Sequence, residues 1–350
     1  MKIPLIVEPE DSKWKLLKEI YKLFDTRRFQ QEIAKAKLKP NAKCRDILKI
    51  LFLAMFFAEE ISYVIKELEK REELKKFVDI TSIPSLDSVY RFLSRCESEQ
   101  FVQLTLGYLN FLCKKRSSQS TLIIDSTDIQ IDLNWFRKKI KKRDLEEKPY
   151  KWAYSSSKGY YIGYKLTLVV EYPLLRPVHF YIHPGSPNDA KIFLEILNTL
   201  KRKRIVRNGD TIITDKGYCS YDNYHVAFSV FKVIPLIFPR KNMDIDKILS
   251  VSYPLDAFSH IESTEKEKDF FLQLKEKFEE KIKKWKDFKP LRSRIEDVFK
   301  LLKSGVYRGK IHRYTEKSCQ RFVICSVLLA GAIIYVGFRS KTYLQTLAES

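Results

Sequence analysis

Residues Thr121–Ile131, TLIIDSTDIQI, decide how the rest of the chain is read. The stretch is apolar at first and then alternates, the pattern of a β-strand. Asp125 sits directly after the apolar run Leu122-Ile123-Ile124. A carboxylate in such a place is costly unless it is ion-paired or bound to a metal. The strand therefore marks both the start of a sheet and a candidate site residue.

Downstream the strand pattern continues. Gly159–Tyr172 and Leu175–Ile182 are expected to form a strand pair turning at Pro173. Asn188 or Asp189 is placed to cap a helix running through Leu200. Asn208-Gly209 turns the chain into a short buried strand, Thr211–Thr214, which ends at Asp215. A helix near Tyr221–Val230 and a strand over Val233–Phe238 follow. The segment of about 240–289 is polar and charged, with helical character at Glu265–Trp285, and reads as an insertion. The order βββ-α-β-α-β, insertion, α, α predicts a mixed α/β domain, a central sheet with helices on its faces.

Upstream, residues 1–116 read as an all-helical N-terminal domain. Helical periodicity covers Lys13–Phe24, Ala42–Ala58, Ile61–Leu68 and Asp87–Leu93, with Ser85 as a cap. The break Ile83-Pro84-Ser85 before a helix carrying Arg91 and Arg95 is compatible with a helix-turn-helix DNA reader. It is equally compatible with a plain helical bundle.

Near the other end lies PLRSRIEDVFKLLK, Pro290–Lys303. At about 100° per residue, Leu291, Ile295, Val298, Phe299 and Leu302 fall on one stripe, as in a core-facing helix. Arg292, Glu296 and Lys303 converge on a narrow strip beside it, and Asp297 points away. One carboxylate flanked by two cations thus sits at the rim of the core. Taken alone, this is also the pattern of an ordinary i,i+4 ion pair.

The 350 residues allow one large or two medium domains. The formal net charge is +21, which favours a polyanionic partner, nucleic acid or an anionic membrane surface. Lys/Arg clusters recur at 137–143, 201–207, 281–294 and 300–313, consistent with a broad phosphate-binding surface. Six cysteines form no CxxC pair and have no histidine at zinc-like spacing, so they read as reduced core residues. The first residues contain no long apolar stretch of a secretory signal. Phe322–Phe338 is close to the lower length limit of a spanning helix. Its Ser, Cys and two Gly, and the charged chain before it, favour a buried C-terminal helix.

Asp125, at the first strand, Asp215, at the end of TIIT, and Glu296, on the late helix, point to a shared metal site. Oxygen donors of this kind suit hard divalent ions such as Mg²⁺. Asp128 and Asp132 are expected at the surface by strand alternation, and Asp189 as a helix cap. Asp210 reads as a turn residue, and His183 as a loop histidine held by backbone contacts. Tyr160 and Tyr164 are placed either for sheet packing or for stacking on DNA bases.

These residues resemble the RNase H-like DDE transposases of bacterial and archaeal insertion sequences. Asp125-Ser126-Thr127 resembles the first-aspartate motif, and Asp215-Lys216-Gly217-Tyr218 the second. Arg292, Glu296 and Lys303 match the Tyr-x2-Arg-x3-Glu-x6-Lys signature at three of four places; Lys289 stands at the Tyr place, with Phe288 beside it. The resemblance implies an RNase H-like catalytic domain over 117–345, interrupted by the insertion. It implies that Asp125, Asp215 and Glu296 ligate two Mg²⁺ or Mn²⁺ ions, with Arg292 and Lys303 on DNA phosphate. The expected reaction is cleavage at transposon ends and strand transfer into target double-stranded DNA. A homodimer assembled on DNA, in the cytoplasm and at the nucleoid, is expected, without a membrane. Two alternatives stay open: a transposase-derived DNA-binding protein without catalysis, and an RNase H-like nuclease.

Overall fold

The structure is a computed structural model, and it describes residues 12–38, 42–112, 119–131, 151–155, 159–253, 265–304, 310–311 and 316–337. The basic run 137–143, Cys113 and Asp132 lie outside the described residues, as does part of the segment 240–289. By packing, the chain divides into two units: 1–114 with 128–164 and 297–350, and 115–127 with 165–296.

The first unit begins with helices α1 (Ser12–Phe24), α2 (Arg27–Lys35), α3 (Ala42–Phe56), α4 (Ile61–Lys70), α5 (Glu72–Val78), α6 (Leu86–Arg95) and α7 (Ser98–Leu112). Local chemistry sets several of their ends. The Thr26 hydroxyl accepts from Phe29 N at 3.3 Å and opens α2; Ser85 does the same for α6 through Ser88 N at 3.3 Å. These bonds satisfy amides that a helix start otherwise leaves unpaired. The predicted helices are present, and α2, α5 and α7 are additional. The last helix of the described chain, α13 (Glu316–Gly337), packs chiefly against α7 and also against α1. It is long and apolar enough to cross a membrane by length and composition, yet 83% of its apolar window is buried inside the protein. Gly331 allows the close approach: a Cβ there would lie 2.1 Å from Leu109 Cδ2. Cys44, Cys96, Cys319 and Cys325 are buried and unbridged, in line with the sequence reading.

The sheet has the strand order β2-β3-β1-β5-β6, with β4 paired to β3 and β7 to β1. Its strands are β1 (Thr121–Ile131), β2 (Lys151–Ser155), β3 (Gly159–Tyr172), β4 (Arg176–Pro184), β5 (Thr211–Thr214), β6 (Ile234–Ile237) and β7 (Lys310–Ile311). Sequence reading missed β2 and β7, which are five and two residues long, too short for a decisive period. It also ended β4 at Ile182, whereas the strand runs to Pro184 and includes His183. In the first unit β2 pairs antiparallel with the start of β3. Gly163 is required there: a Cβ would sit 2.0 Å from the backbone oxygen of Ile129.

In the second unit β1, β5 and β6 are parallel, with Ile124 opposite Thr214 and Thr214 opposite Ile237. These short strands are buried on both faces, so their apolar runs carry no alternation. Asp210 fixes their register. It is fully buried, and its carboxylate accepts from Ser120 N and Arg207 N, each at 2.8 Å. Its own carbonyl accepts from Ile234 N at 2.8 Å. Three chain segments are thereby tied at the entry to the parallel strands. Helices α8 (Asp189–Arg202), α9 (Tyr221–Ser229), α10 (Ile245–Ser252), α11 (Glu265–Lys283) and α12 (Lys289–Ser304) follow in the order predicted, with α10 additional. The segment read as an insertion contributes to the core. Leu274, Phe278 and Ile282 of α11 are buried, α11 packs on β6, and Phe278 meets Phe228 of α9 at 5.5 Å between ring centres.

Asp210→Ala leaves two backbone donors without their acceptor, at about 1–3 kcal/mol for such a loss. The expected outcome is a drop of roughly 2 kcal/mol in stability, read as a lower urea midpoint by circular dichroism.

Candidate active site

Parallel register places the two aspartates. Ile124 and Thr214 are partners on β1 and β5, so Asp125, which continues β1, and Asp215, the residue after β5, lie side by side. The β1–β5 pairing stops here, at the carboxyl end of β5, and open α/β sheets bind ligands at such ends. The third acid arrives on α12. Its apolar face, with Ile295, Val298, Phe299 and Leu302, is buried as the periodicity predicts.

The acids converge on one guanidinium. Arg292 Nη2 lies 2.7 Å from Asp125 Oδ2 and 3.9 Å from Asp215 Oδ2, and Nη1 lies 2.8 Å from Glu296 Oε1. The arginine side chain is 21% exposed, Asp125 10%, Asp215 38% and Glu296 53%, so the cluster opens from a buried floor towards water. The Asp125 carboxyl is pushed up to about 6: burial raises it most, and Asp215 and Asp189 add to this. Arg292 and the Ser126 amide, which donates to Asp125 Oδ1 at 2.9 Å, oppose the rise without cancelling it.

Beneath Asp125 lies a polar network that sequence reading did not foresee. Ser126 Oγ is 3.2 Å from Asp189 Oδ1, 2.9 Å from Thr167 Oγ1 and 2.7 Å from the Tyr218 hydroxyl. A carboxylate only accepts, so Ser126 donates to Asp189 and accepts from the other two. Lys165 donates to Asp189 Oδ2 at 2.8 Å and to the Pro187 carbonyl at 3.0 Å. Burial holds the Tyr218 hydroxyl well above its ordinary range, so it remains a proton donor. Asp189 is therefore not the expected cap. Asn188 caps α8, accepting from Ala190 N at 2.9 Å, and Asp189 turns to the network. Only the folded arrangement of β1, β3 and α8 makes these residues neighbours.

Lys303, predicted beside Glu296, pairs with Asp128 Oδ1 at 3.8 Å. Asp128 is correspondingly half-buried, against the expectation of a surface residue, because it has a cation partner. Asp297 faces outward and pairs with Lys300 at 3.7 Å. Asp210 is the turn residue expected. His183 stacks on Tyr181 with centres 6.0 Å apart. Tyr164 is fully buried in the sheet, whereas Tyr160 is exposed.

An open cleft at Asp215 is lined by Lys216, Gly217, Arg240 and Lys241. Arg240 Nε donates to the Lys216 carbonyl at 3.2 Å, which joins the two walls. Arg240 and Lys241 belong to none of the four basic runs. The signal available was their position, just past the end of a buried parallel strand.

Among the described residues, no three acidic, His or Cys side chains stand ready to hold an ion directly. The Arg292 guanidinium lies among the three carboxylates. The donor set itself fits a hard divalent ion: all oxygen, negatively charged, and open to solvent on the Asp215 and Glu296 side, so that an ion keeps part of its water.

Residues 116–330 match the family model described as Transposase DDE domain, and the chain belongs to that family. No curated protein matches the chain. The mixed α/β architecture fits such a domain, and the family is one that acts on DNA with divalent metal ions.

Arg292→Gln removes the cation and leaves mutually repelling carboxylates. The metal-free variant is expected to lose about 2 kcal/mol, a discounted value for a partly exposed ion pair. Mn²⁺ or Mg²⁺ should then raise its melting temperature by more than it raises that of the wild type. Thermal unfolding with EDTA and with each ion measures both effects; equal shifts in the two proteins would contradict the arrangement.

Proposed function

We propose that the chain is a transposase that cleaves DNA at the ends of a mobile element and joins the freed 3′-hydroxyl to target DNA. The observation that carries this reading is the meeting of Asp125, Asp215 and Glu296 at one guanidinium, at the carboxyl end of parallel strands. In this reading the fold is RNase H-like, and the three acids are ligands of two divalent ions, Mg²⁺ or Mn²⁺. Ions bound there supply Lewis-acid activation of phosphate and water.

The protein's own groups do the positioning. Asp125 accepts from the Ser126 amide and from Arg292, and Ser126 is in turn tied by its hydroxyl to Asp189, Thr167 and Tyr218, which orients the Asp125 carboxylate. Asp215 and Glu296 are more exposed and adapt to the incoming charge. Arg292 neutralises the acids before metal arrives. Once they are otherwise compensated, its planar fork is free to take a DNA phosphate, for which its two-point geometry is suited. Lys216, Arg240 and Lys241 line the path by which the backbone approaches. Lys303 contributes a second phosphate contact on exchanging Asp128 for DNA. Phosphoryl transfer of this kind rests on alignment and charge stabilisation, with no covalent protein intermediate.

The match of Arg292, Glu296 and Lys303 to the Arg-Glu-Lys part of the insertion-sequence signature supports placing the chain in that group. The helices of residues 12–112 are proposed as the part that reads element ends, and a homodimer as the form that brings two ends together. The work is placed on DNA in the cytoplasm, at the nucleoid. A derived protein without catalysis, or a repair nuclease, would differ in a cleavage assay on the element's own ends.

In that assay, Asp125→Asn, Asp215→Asn and Glu296→Gln are each expected to lower strand cleavage by at least about a hundredfold. Gel-shift affinity for the same ends should stay within a few-fold. A variant that cleaves at the wild-type rate removes that residue from the ligand set. Duplex affinity should also fall linearly on a log–log plot against salt, with a slope of roughly −0.9 per phosphate contacted. Titrations from 50 to 300 mM salt test this, and a flat line would exclude a phosphate-reading surface.

A further inference from the structure

The amino ends of the parallel strands hold a charged surface that the cleavage chemistry does not use. β1, β5 and β6 run the same way, so Thr121, Thr211 and Ile234 start them at one end of the sheet, a strand length from Asp215. Three chain segments bring cations to that end. Residues 201–210, which lead from α8 into β5, contain five Lys/Arg and one acid, Asp210. That acid is fully buried and accepts from two backbone amides. Arg202, Lys203, Arg204 and Arg207 are exposed. In the segment before β6, the Phe231 carbonyl accepts from Lys201 at 3.1 Å, and the Lys232 carbonyl accepts from Gly209 N at 2.8 Å. From α11, Lys281 donates to the Thr211 hydroxyl at 2.7 Å, and the exposed Lys277 to Gln119 Oε1 at 3.4 Å. Gln119 in turn lies over Gly209, where a Cβ would sit 2.8 Å from its side chain. The three segments thus frame one surface.

One or two cations in the last turn of α8 answer the negative end of its helix dipole. The others exceed that need, and they crowd one another. Burial, and then Lys232, holds the Lys201 amine below its ordinary range; burial, and then Lys277, does the same to Lys281. The neighbouring acids of α11 pair further along the helix, Glu279 with Lys283 at 3.0 Å and Glu280 with Lys284 at 3.2 Å. We propose that this surface binds the phosphate backbone of a duplex DNA segment other than the one at the acidic site. The proposal rests on the reading of the chain as a DNA-acting protein. Crowded cations whose nearest acids are buried or paired elsewhere gain most from closely spaced negative charge, and duplex DNA carries one charge per about 1.7 Å. From Thr211 to Asp215 is about 13 Å of extended chain, and the two ends of the sheet face opposite ways. DNA is stiff over about 150 bp, so a duplex seated at the acids does not turn around the strands within that length. The surface therefore takes a second segment.

The test is lysine footprinting of the full-length protein in EDTA, by reductive methylation and peptide mass spectrometry. The probes are a short mixed-sequence duplex at saturation and, separately, vesicles of anionic lipid. Duplex is expected to slow labelling of Lys203 and Lys277 as well as of Lys216 and Lys241 in the cleft at Asp215. Native mass spectrometry should then show two short duplexes per chain. The R202Q/K203Q/R207Q/K277Q variant should hold one, and its log–log salt dependence should flatten by up to about 3.6, for four lost phosphate contacts. Circular dichroism checks that the variant is folded, and the wild-type footprint does not depend on it. Protection of Lys216 and Lys241 with Lys203 and Lys277 labelled as before overturns the surface and leaves the DNA reading standing. One duplex per wild-type chain, or two on the folded variant, overturns the second segment. Vesicles that protect Lys203 and Lys277 where duplex does not would make this a membrane-facing surface instead. Duplex that protects no lysine at either end overturns both the surface and the DNA reading.

Discussion

A single guanidinium organises the acidic site. Arg292 bonds Asp125 on β1 and Glu296 on its own helix, and lies 3.9 Å from Asp215 just past β5, a reach that its rigid planar fork of donors provides. A lysine in its place would present one point charge and could not span them. The second unit supplies what that fork needs. Parallel register sets Asp125 and Asp215 next to each other, and the buried stripe of α12 turns Arg292 and Glu296 to the same side. Burial keeps the Asp125 carboxyl above its ordinary range although Arg292 is in contact with it.

Rigidity is distributed unevenly around that centre. Ser126, whose amide bonds Asp125, is tied by its hydroxyl into a network whose members come from β1, β3, α8 and the turn after β5. Asp215 and Glu296 have more water around them and fewer bonds. Lys216, Arg240 and Lys241 line the cleft next to Asp215, so its cations lie on the more exposed side of the cluster.

Membership of the DDE transposase family gives this arrangement its chemical context. The helical first unit shows a different economy: buried aromatic and aliphatic packing, a last helix folded against α7, and buried cysteines without disulfides among the described residues. The apolar run of that last helix is explained by burial on nearly every side. An all-round apolar helix in the core and one in a bilayer have the same composition.

Much of this was legible in the sequence. The strands β1, β3, β4, β5 and β6, most helices, the cap Ser85, and the three acids as candidates follow from periodicity and from charges set beside apolar runs. Those signals are local, and local sequence encodes them. What local sequence lacks is register and partner choice. That Arg292 lies among three acids, that Asp189 leaves its cap position for Ser126 and Lys165, that Asp128 takes Lys303, and that Tyr164 is buried while Tyr160 is bare were decided by tertiary structure. Each depends on which strand lies beside which and at what offset. Those choices are settled by burying whole faces at once, a global sum that no single stretch of residues contains.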